Sequence, residues 1–268
     1  MRPRALALCL AVLSTPVLAT MATAPTLEQA VADLARSATN RARDVHRHPV
    51  ETLRFFGVKP TDTVVELWPG GGWYTEILAP LLAPSGALTV AGPWPKGVDR
   101  VREKQAQDAA RFGKLGFAAF PAREGEPRID DNSVDVVLTF RNIHNWRMGY
   151  QRDGQDYAPE AFRQIFAMLK PGGVLGIVDH RLPESADDAR EKDSGYIKTS
   201  TVKRLAAEAG FVLDGESEIN ANPRDTANWP KGVWTLPPSL ALGDTDRARY
   251  AAIGESDRMT LRFVKPAR

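Results

Sequence analysis

Apolar positions along the 268-residue chain switch repeatedly between two spacings. Short runs rich in β-branched residues, Thr63 to Leu67, Ala87 to Ala91, Val134 to Phe140 and Val174 to Val178, are apolar nearly throughout and read as buried strands. Between them, apolar residues three and four apart predict amphipathic helices over Val98 to Phe112, Pro159 to Leu169 and Thr201 to Ala209, the last closed by Gly210. Weaker strands are predicted at Phe117 to Phe120 and from Phe211 to Leu213. Regular alternation of strand and helix predicts an open, doubly wound parallel sheet with helices on both faces.

The two ends depart from that rhythm. Thr26-Leu27-Glu28-Gln29 fits a capping box, Leu27, Ala30, Val31 and Leu34 follow at helical spacing, and Val50 to Phe56 is a second short helix stopped by Gly57. A helical segment ahead of the first strand is placed to fold over a ligand crevice as a lid. From Asn220 to Gly254 four prolines, with Trp229 and Trp234, mark a long irregular excursion. Met259 to Lys265 then reads as a closing antiparallel strand. Nothing in the composition divides residues 58–268, so one domain is expected there, behind a helical segment over 20–57.

The junction after the first predicted strand carries the chemistry. Trp68-Pro69-Gly70-Gly71-Gly72 separates Thr63–Leu67 from a helical pattern that resumes at Trp73 and that Pro80 and Pro84 are expected to end. Glycines there permit positive φ and let a ligand reach backbone amides that no Cβ shields. A turn of this kind suits a small polar ligand.

Composition narrows the partners. With 43% hydrophobic and 25% charged residues, the chain can bury a full core. Arg2 and Arg4, the apolar run Ala5 to Leu13, and Val17-Leu18-Ala19 have the layout of a cleavable signal peptide over 1–19, so a periplasmic or secreted location is expected. Without Arg2 and Arg4, 33 basic residues stand against 33 acidic ones, which leaves no electrostatic footprint for nucleic acid or an anionic membrane. The single cysteine, Cys9, lies in the leader, so neither a disulfide nor a thiolate site is expected beyond it.

Several stretches in this order resemble class I S-adenosylmethionine-dependent methyltransferases: Val64-Val65-Glu66 with the glycine turn, Val134-Asp135-Val136-Val137, Leu169-Lys170-Pro171-Gly172-Gly173-Val174, and Ala209-Gly210-Phe211. Residues 66–74, Glu-Leu-Trp-Pro-Gly-Gly-Gly-Trp-Tyr, are similar to a bacterial group of predicted, mostly exported members. The resemblance implies a Rossmann-like seven-stranded sheet of order 3-2-1-4-5-7-6, with strand 7 antiparallel. It also implies a methyl donor, S-adenosyl-L-methionine, lying across the carboxyl ends of strands 1, 2 and 4. Glu66, Gly70, Gly71, Gly72 and Trp73 are then the candidate donor-binding residues. Two positions depart from the family: Trp68 replaces the first glycine of the turn, and the end of strand 2, Ala91-Gly92-Pro93-Trp94, lacks the acid that takes the ribose hydroxyls.

Acceptor chemistry is expected at the ends of strands 4 and 5. His144 is the candidate general base, its ordinary pKa suiting proton removal near neutrality, and the competing role is to hold its loop by hydrogen bonding. Asn142, Asn145, Trp146, His180 and Tyr196 are candidate substrate contacts. Asp179 is expected to pair with a nearby His or Arg; a divalent cation at His144, Asp179 and His180 is the weaker reading, because such sites in metal-dependent relatives use mostly carboxylate and amide oxygens. The implied function is methyl transfer to a small molecule. An exported, repurposed binding protein is the alternative, and a nicotinamide oxidoreductase ranks last because Gly70-Gly71-Gly72 lacks the later glycine of that turn.

Overall fold

A computed structural model describes residues 25–267, so the leader expected over 1–19 lies outside the described residues. In chain order the elements are α1 (Leu27–Ala32), α2 (Ala38–Arg41), α3 (Asp44–Arg47), α4 (Pro49–Phe56), β1 (Thr63–Leu67), α5 (Thr75–Leu82) and β2 (Ala87–Gly92). Next come α6 (Asp99–Gln107), α7 (Ala109–Phe112), β3 (Gly116–Ala119), β4 (Val134–Phe140), α8 (Ile143–Arg147), α9 (Ala158–Met168) and β5 (Leu169–Leu182). The chain ends with β6 (Ile197–Lys198), α10 (Thr199–Ala209), β7 (Val212–Ser217), α11 (Arg247–Ile253) and β8 (Arg258–Val264).

The main sheet runs β3-β2-β1-β4-β5-β8-β7, parallel except where β8 meets β5 and β7. This is the expected seven-stranded order, with one addition: two-residue β6 pairs with Arg181 and Leu182 at the far end of β5. That pairing accompanies a longer β5 than the sequence suggests, so Asp179 and His180 lie within a strand rather than just past one.

Alternation along the strands divides the core in two. Val65, Leu67, Val137, Leu175 and Ile177 face one cluster with α9 and α10, while Val64, Val136, Leu138, Val174 and Val178 face the other with α4 and α5. Both layers are dry enough that one methyl group matters. A Cβ on Gly176 would stand 2.6 Å from Phe56 Cγ and 2.8 Å from Leu138 Cδ2.

Local differences from the sequence reading have physical causes. The capping box forms, with Thr26 Oγ1 accepting from Gln29 N at 3.2 Å, but α1 stops at Ala32 and leaves Leu34 82% exposed. The helix read as Val98 to Phe112 breaks at Asp108, whose side chain caps α7 by accepting from Arg111 N. Pro80 sits inside α5 instead of ending it: the Glu76 carbonyl that loses its helical donor accepts from Arg111 Nη2 at 2.7 Å.

Two of the ties that fasten the N-terminal helices to the rest of the domain bear on the site. Trp73 Nε1 donates to Asn40 O, and Arg36 and Arg47 lie over the Trp73 ring at 5.2 and 4.7 Å. Buried Glu255, just before β8, pairs with Arg43, Arg47 and Arg258. The segment thus packs against Trp73 at the end of the turn and leaves Gly70 and Gly71 uncovered.

Gly176→Ala is expected to destabilise the protein by about 1–3 kcal/mol through overpacking against Phe56. Urea unfolding checks this, and an unchanged midpoint would show that α4 yields where it meets β5.

Candidate functional site

The carboxyl edge of the parallel strands bears two cavities. One, about 180 Å³, is lined by Trp68, Trp94, Phe120, Tyr150 and Glu126 among others; the second, about 190 Å³, is lined by Arg141, His144, Asn145, His180 and Trp234 among others. The first sits beyond β1, β2 and β3, the second beyond β4 and β5.

At the turn, Trp68, Gly70 and Gly72 all take positive φ. Trp68 is the exception in residue type, and its conformation is held from outside: its amide donates to Ala91 O, its Nε1 to Phe120 O at 3.0 Å, and its ring meets Trp146 and Tyr150 edge-on. The side chain thereby leaves the turn and becomes a wall of the first cavity. Gly70 and Gly71 face open space, whereas a Cβ on Gly72 would press Val101 and Lys104 at 3.3–3.4 Å.

Glu66, 2% exposed, has one side-chain partner among the described residues, the Thr75 hydroxyl at 2.5 Å. Burial pushes its carboxyl up to about 7, with Thr75 opposing the shift. A buried acid without a cation beside it is suited to a positively charged ligand.

Beyond β4, Asp179 organises the start of α8. Its two oxygens receive the amides of Ile143, His144 and His180 and His144 Nδ1, the last at 2.7 Å. The three amides can only donate, and with Asp179 accepting from them the Nδ1–H tautomer is assigned to His144. His144 therefore carries its lone pair on Nε2. The imidazole is 3% exposed and lines the second cavity.

His180 faces the other side of β5, with Nδ1 2.5 Å from Ser256 Oγ and its ring centroid 5.0 Å from that of His144. Burial drives its pKa well down, and the positive charges of Arg141, Arg258 and Arg47 push the same way. One ligand atom each of His144, Asp179 and His180 lie within 4.8 Å of one another. Yet Asp179 is saturated by donors, and the surrounding guanidinium groups oppose a cation there.

That positive surround comes from Arg43, Arg47, Arg141 and Arg258, with Glu255 between them. Glu255 is held down to about 2: burial raises it, and the four arginines outweigh that cost. Arg47 and Arg141 are lowered by burial, to about 9 and about 10. Arg141 occupies the left-handed region (φ 66°) directly after β4.

The remaining candidates fall in different places. Asn142 bridges strand ends, its Nδ2 donating to Leu67 O and Thr139 Oγ1. Asn145 and His180 line the second cavity, while Trp146, fully buried among Phe120 and Phe162, reaches neither cavity. Tyr196 is also fully buried, its hydroxyl donating to Asp225, and Trp73 turns toward the N-terminal helices. Sequence reasoning missed Arg141 and Glu126. Arg141 had a usable signal, being the residue between β4 and Asn142; Glu126 had none, because it reaches the first cavity from a loop far from the end of β2.

Residues 65–177 match the family model described as a methyltransferase domain, somewhat under half of the chain. No curated protein matches closely enough to serve as a relative. A SAM dependent methyltransferase from Aquifex aeolicus shares the fold at TM-score 0.56 and 14% identity, over 86% of this chain and 95% of that one. The [4+2]-cyclase SpnF does so at TM-score 0.58 and 15% identity, over 86% of this chain and 82% of that one. The edge fits S-adenosyl-L-methionine in three respects: buried Glu66 for a cation, the uncovered backbone of Gly70 and Gly71, and a first cavity whose walls are aromatic and include the Glu126 carboxylate. Together the domain match over residues 65–177 and the shared fold show a methyltransferase-type fold and support S-adenosyl-L-methionine as the cofactor.

Proposed function

We propose that the protein transfers a methyl group from S-adenosyl-L-methionine to a hydroxyl or amine of a small molecule, outside the cytoplasm if the expected leader is used. The observation that carries the reading is the buried His144–Asp179 pair, set beside a cavity at the same strand edge as the glycine turn. The donor, when bound, supplies an activated methyl group and leaves as a neutral thioether. The chain's own part is mostly alignment, which is where such reactions gain most of their rate.

Glu66 and the backbone of Gly70 to Gly72 hold the donor's charged end. Trp68, Trp94 and Tyr150 would flank its purine, and Glu126 would take the polar role that the end of β2 leaves empty. Arg102 covers one face of Trp94 at 4.5 Å and fixes that ring. His144 Nε2 accepts the acceptor's proton as the new bond forms, while Asp179 keeps the ring oriented and stabilises its protonated form.

Three outcomes are expected. Calorimetry with S-adenosylmethionine and S-adenosylhomocysteine gives binding and NADH gives none; Gly71→Val, which meets nothing within 4 Å and needs no positive φ, abolishes that binding with an unchanged melting temperature. A folded wild-type protein that binds neither donor nor product would end the methyltransferase reading. His144→Gln lowers kcat by about 10²–10⁴ on any acceptor found by screening, with donor affinity unchanged; full activity would return His144 to a loop-holding role.

The third outcome concerns Glu66 and pH. Its folded pKa of about 7 lies above the ordinary value, so the folded state binds the extra proton between pH 4.5 and 7. Stability from this group is therefore present at low pH and is lost as pH rises through 7, by roughly 3 kcal/mol in all. Glu66→Gln removes the loss, so its gain over wild type in urea unfolding should be larger at pH 8 than at pH 5. Equal differences at the two pH values would show that Glu66 is ionised throughout.

A further inference from the structure

We propose that the acceptor is a small carboxylate, held in the second cavity by the Arg141 guanidinium with Arg47 behind it. This rests on the methyltransferase reading for the word acceptor, but the anion site stands on its own geometry. Arg141 lines the cavity, and its side chain makes no hydrogen bond or ion pair among the described residues. Arg47 is 1% exposed, and although its Nε reaches Glu255, both terminal nitrogens are buried without a hydrogen-bond partner.

Charge makes the same point. Four arginines meet here, and two carboxylates face them; Asp179 is filled by three amides and the His144 ring, and Glu255 already serves Arg43, Arg47 and Arg258. Arg141 is the group left over. Buried guanidinium nitrogens without a partner, as on Arg47, are costly unless something negative completes them, and half-buried Arg141 brings free N–H groups to the cavity. A planar fork with free N–H groups selects a carboxylate, which it can grip through two parallel bonds.

Size and walls complete the description. A volume of about 190 Å³ is below the roughly 300 Å³ at which drug-sized pockets begin, and Trp234, Val233, Pro237 and Pro238 make one side apolar. The occupant is thus a compact molecule with an apolar body, a carboxylate at Arg141, and its reacting hydroxyl or amine toward His144. The excursion after Asn220 provides that apolar wall.

The test uses benzoate and its neutral counterpart benzamide as probes in calorimetric titrations of the purified protein. Benzoate should bind at least tenfold more tightly than benzamide, and Arg141→Gln should weaken benzoate at least tenfold while leaving benzamide and S-adenosylhomocysteine within twofold. The variant should melt no lower than wild type, since it removes charge from an over-positive cluster; a merely structural arginine would lower the melting temperature and leave the probes alone. Benzoate no tighter than benzamide, no benzoate binding at 50 mM, or unchanged benzoate affinity in Arg141→Gln would each overturn the proposal. Equal loss of S-adenosylhomocysteine would overturn it too, by assigning Arg141 to the donor's own carboxylate. If benzoate binds as expected but the donor never does, the anion site survives and the methyltransferase reading fails.

Discussion

Arg43, Arg47 and Arg258 pair with the Glu255 carboxylate, Arg141 adds a fourth positive charge nearby, and the cluster joins distant parts of the chain. Arg43 and Arg47 come from the N-terminal helices, Arg258 opens β8, and Arg141 follows β4. Removing one partner of such a buried pair typically costs about 3–5 kcal/mol, because the remaining charges stay desolvated. The N-terminal segment is held beside the glycine turn by this ion cluster and by Trp73, and the same cluster sets the electrostatic sign of the second cavity. Stability and ligand preference are therefore coupled through one set of charges.

The sheet was legible in the chain because parallel strands covered on both faces are almost wholly apolar, and Val134 to Phe140 and Val174 to Val178 leave little else to be. Gly176 shows what that legibility omits: only the packed structure reveals that α4 presses Phe56 against the strand at that point. Helix ends were read less well, since Pro80 survives inside α5 through Arg111, a residue some thirty positions away that no local pattern connects to it. The candidate base was legible from its position alone. Its partner Asp179 was visible as a candidate, but the saturation of its oxygens by amides of α8 depends on how two strands and a helix start meet.

Glu126 and the destination of Trp146 were not legible, because both depend on how a loop and a short helix pack against the strand ends. The side-chain direction of Arg141 was not legible either, since positive φ at Trp68 and Arg141 reverses the direction that a regular strand would give. Trp68 illustrates the consequence. In sequence it stands as an obstacle in a glycine turn; in space its ring has swung out to Trp146 and Tyr150, leaving the amides of Gly70 and Gly71 uncovered.

That displacement also bears on the missing acid of strand 2. A ribose held by a carboxylate at the end of β2 needs an open floor above β1, and here the Trp68 ring occupies that side. The Glu126 carboxylate lines the same cavity from the loop after β3. On the proposed reading the two departures from the family pattern belong together: Trp68 brings an aromatic ring into the crevice, and Glu126 offers a carboxylate to the same cavity.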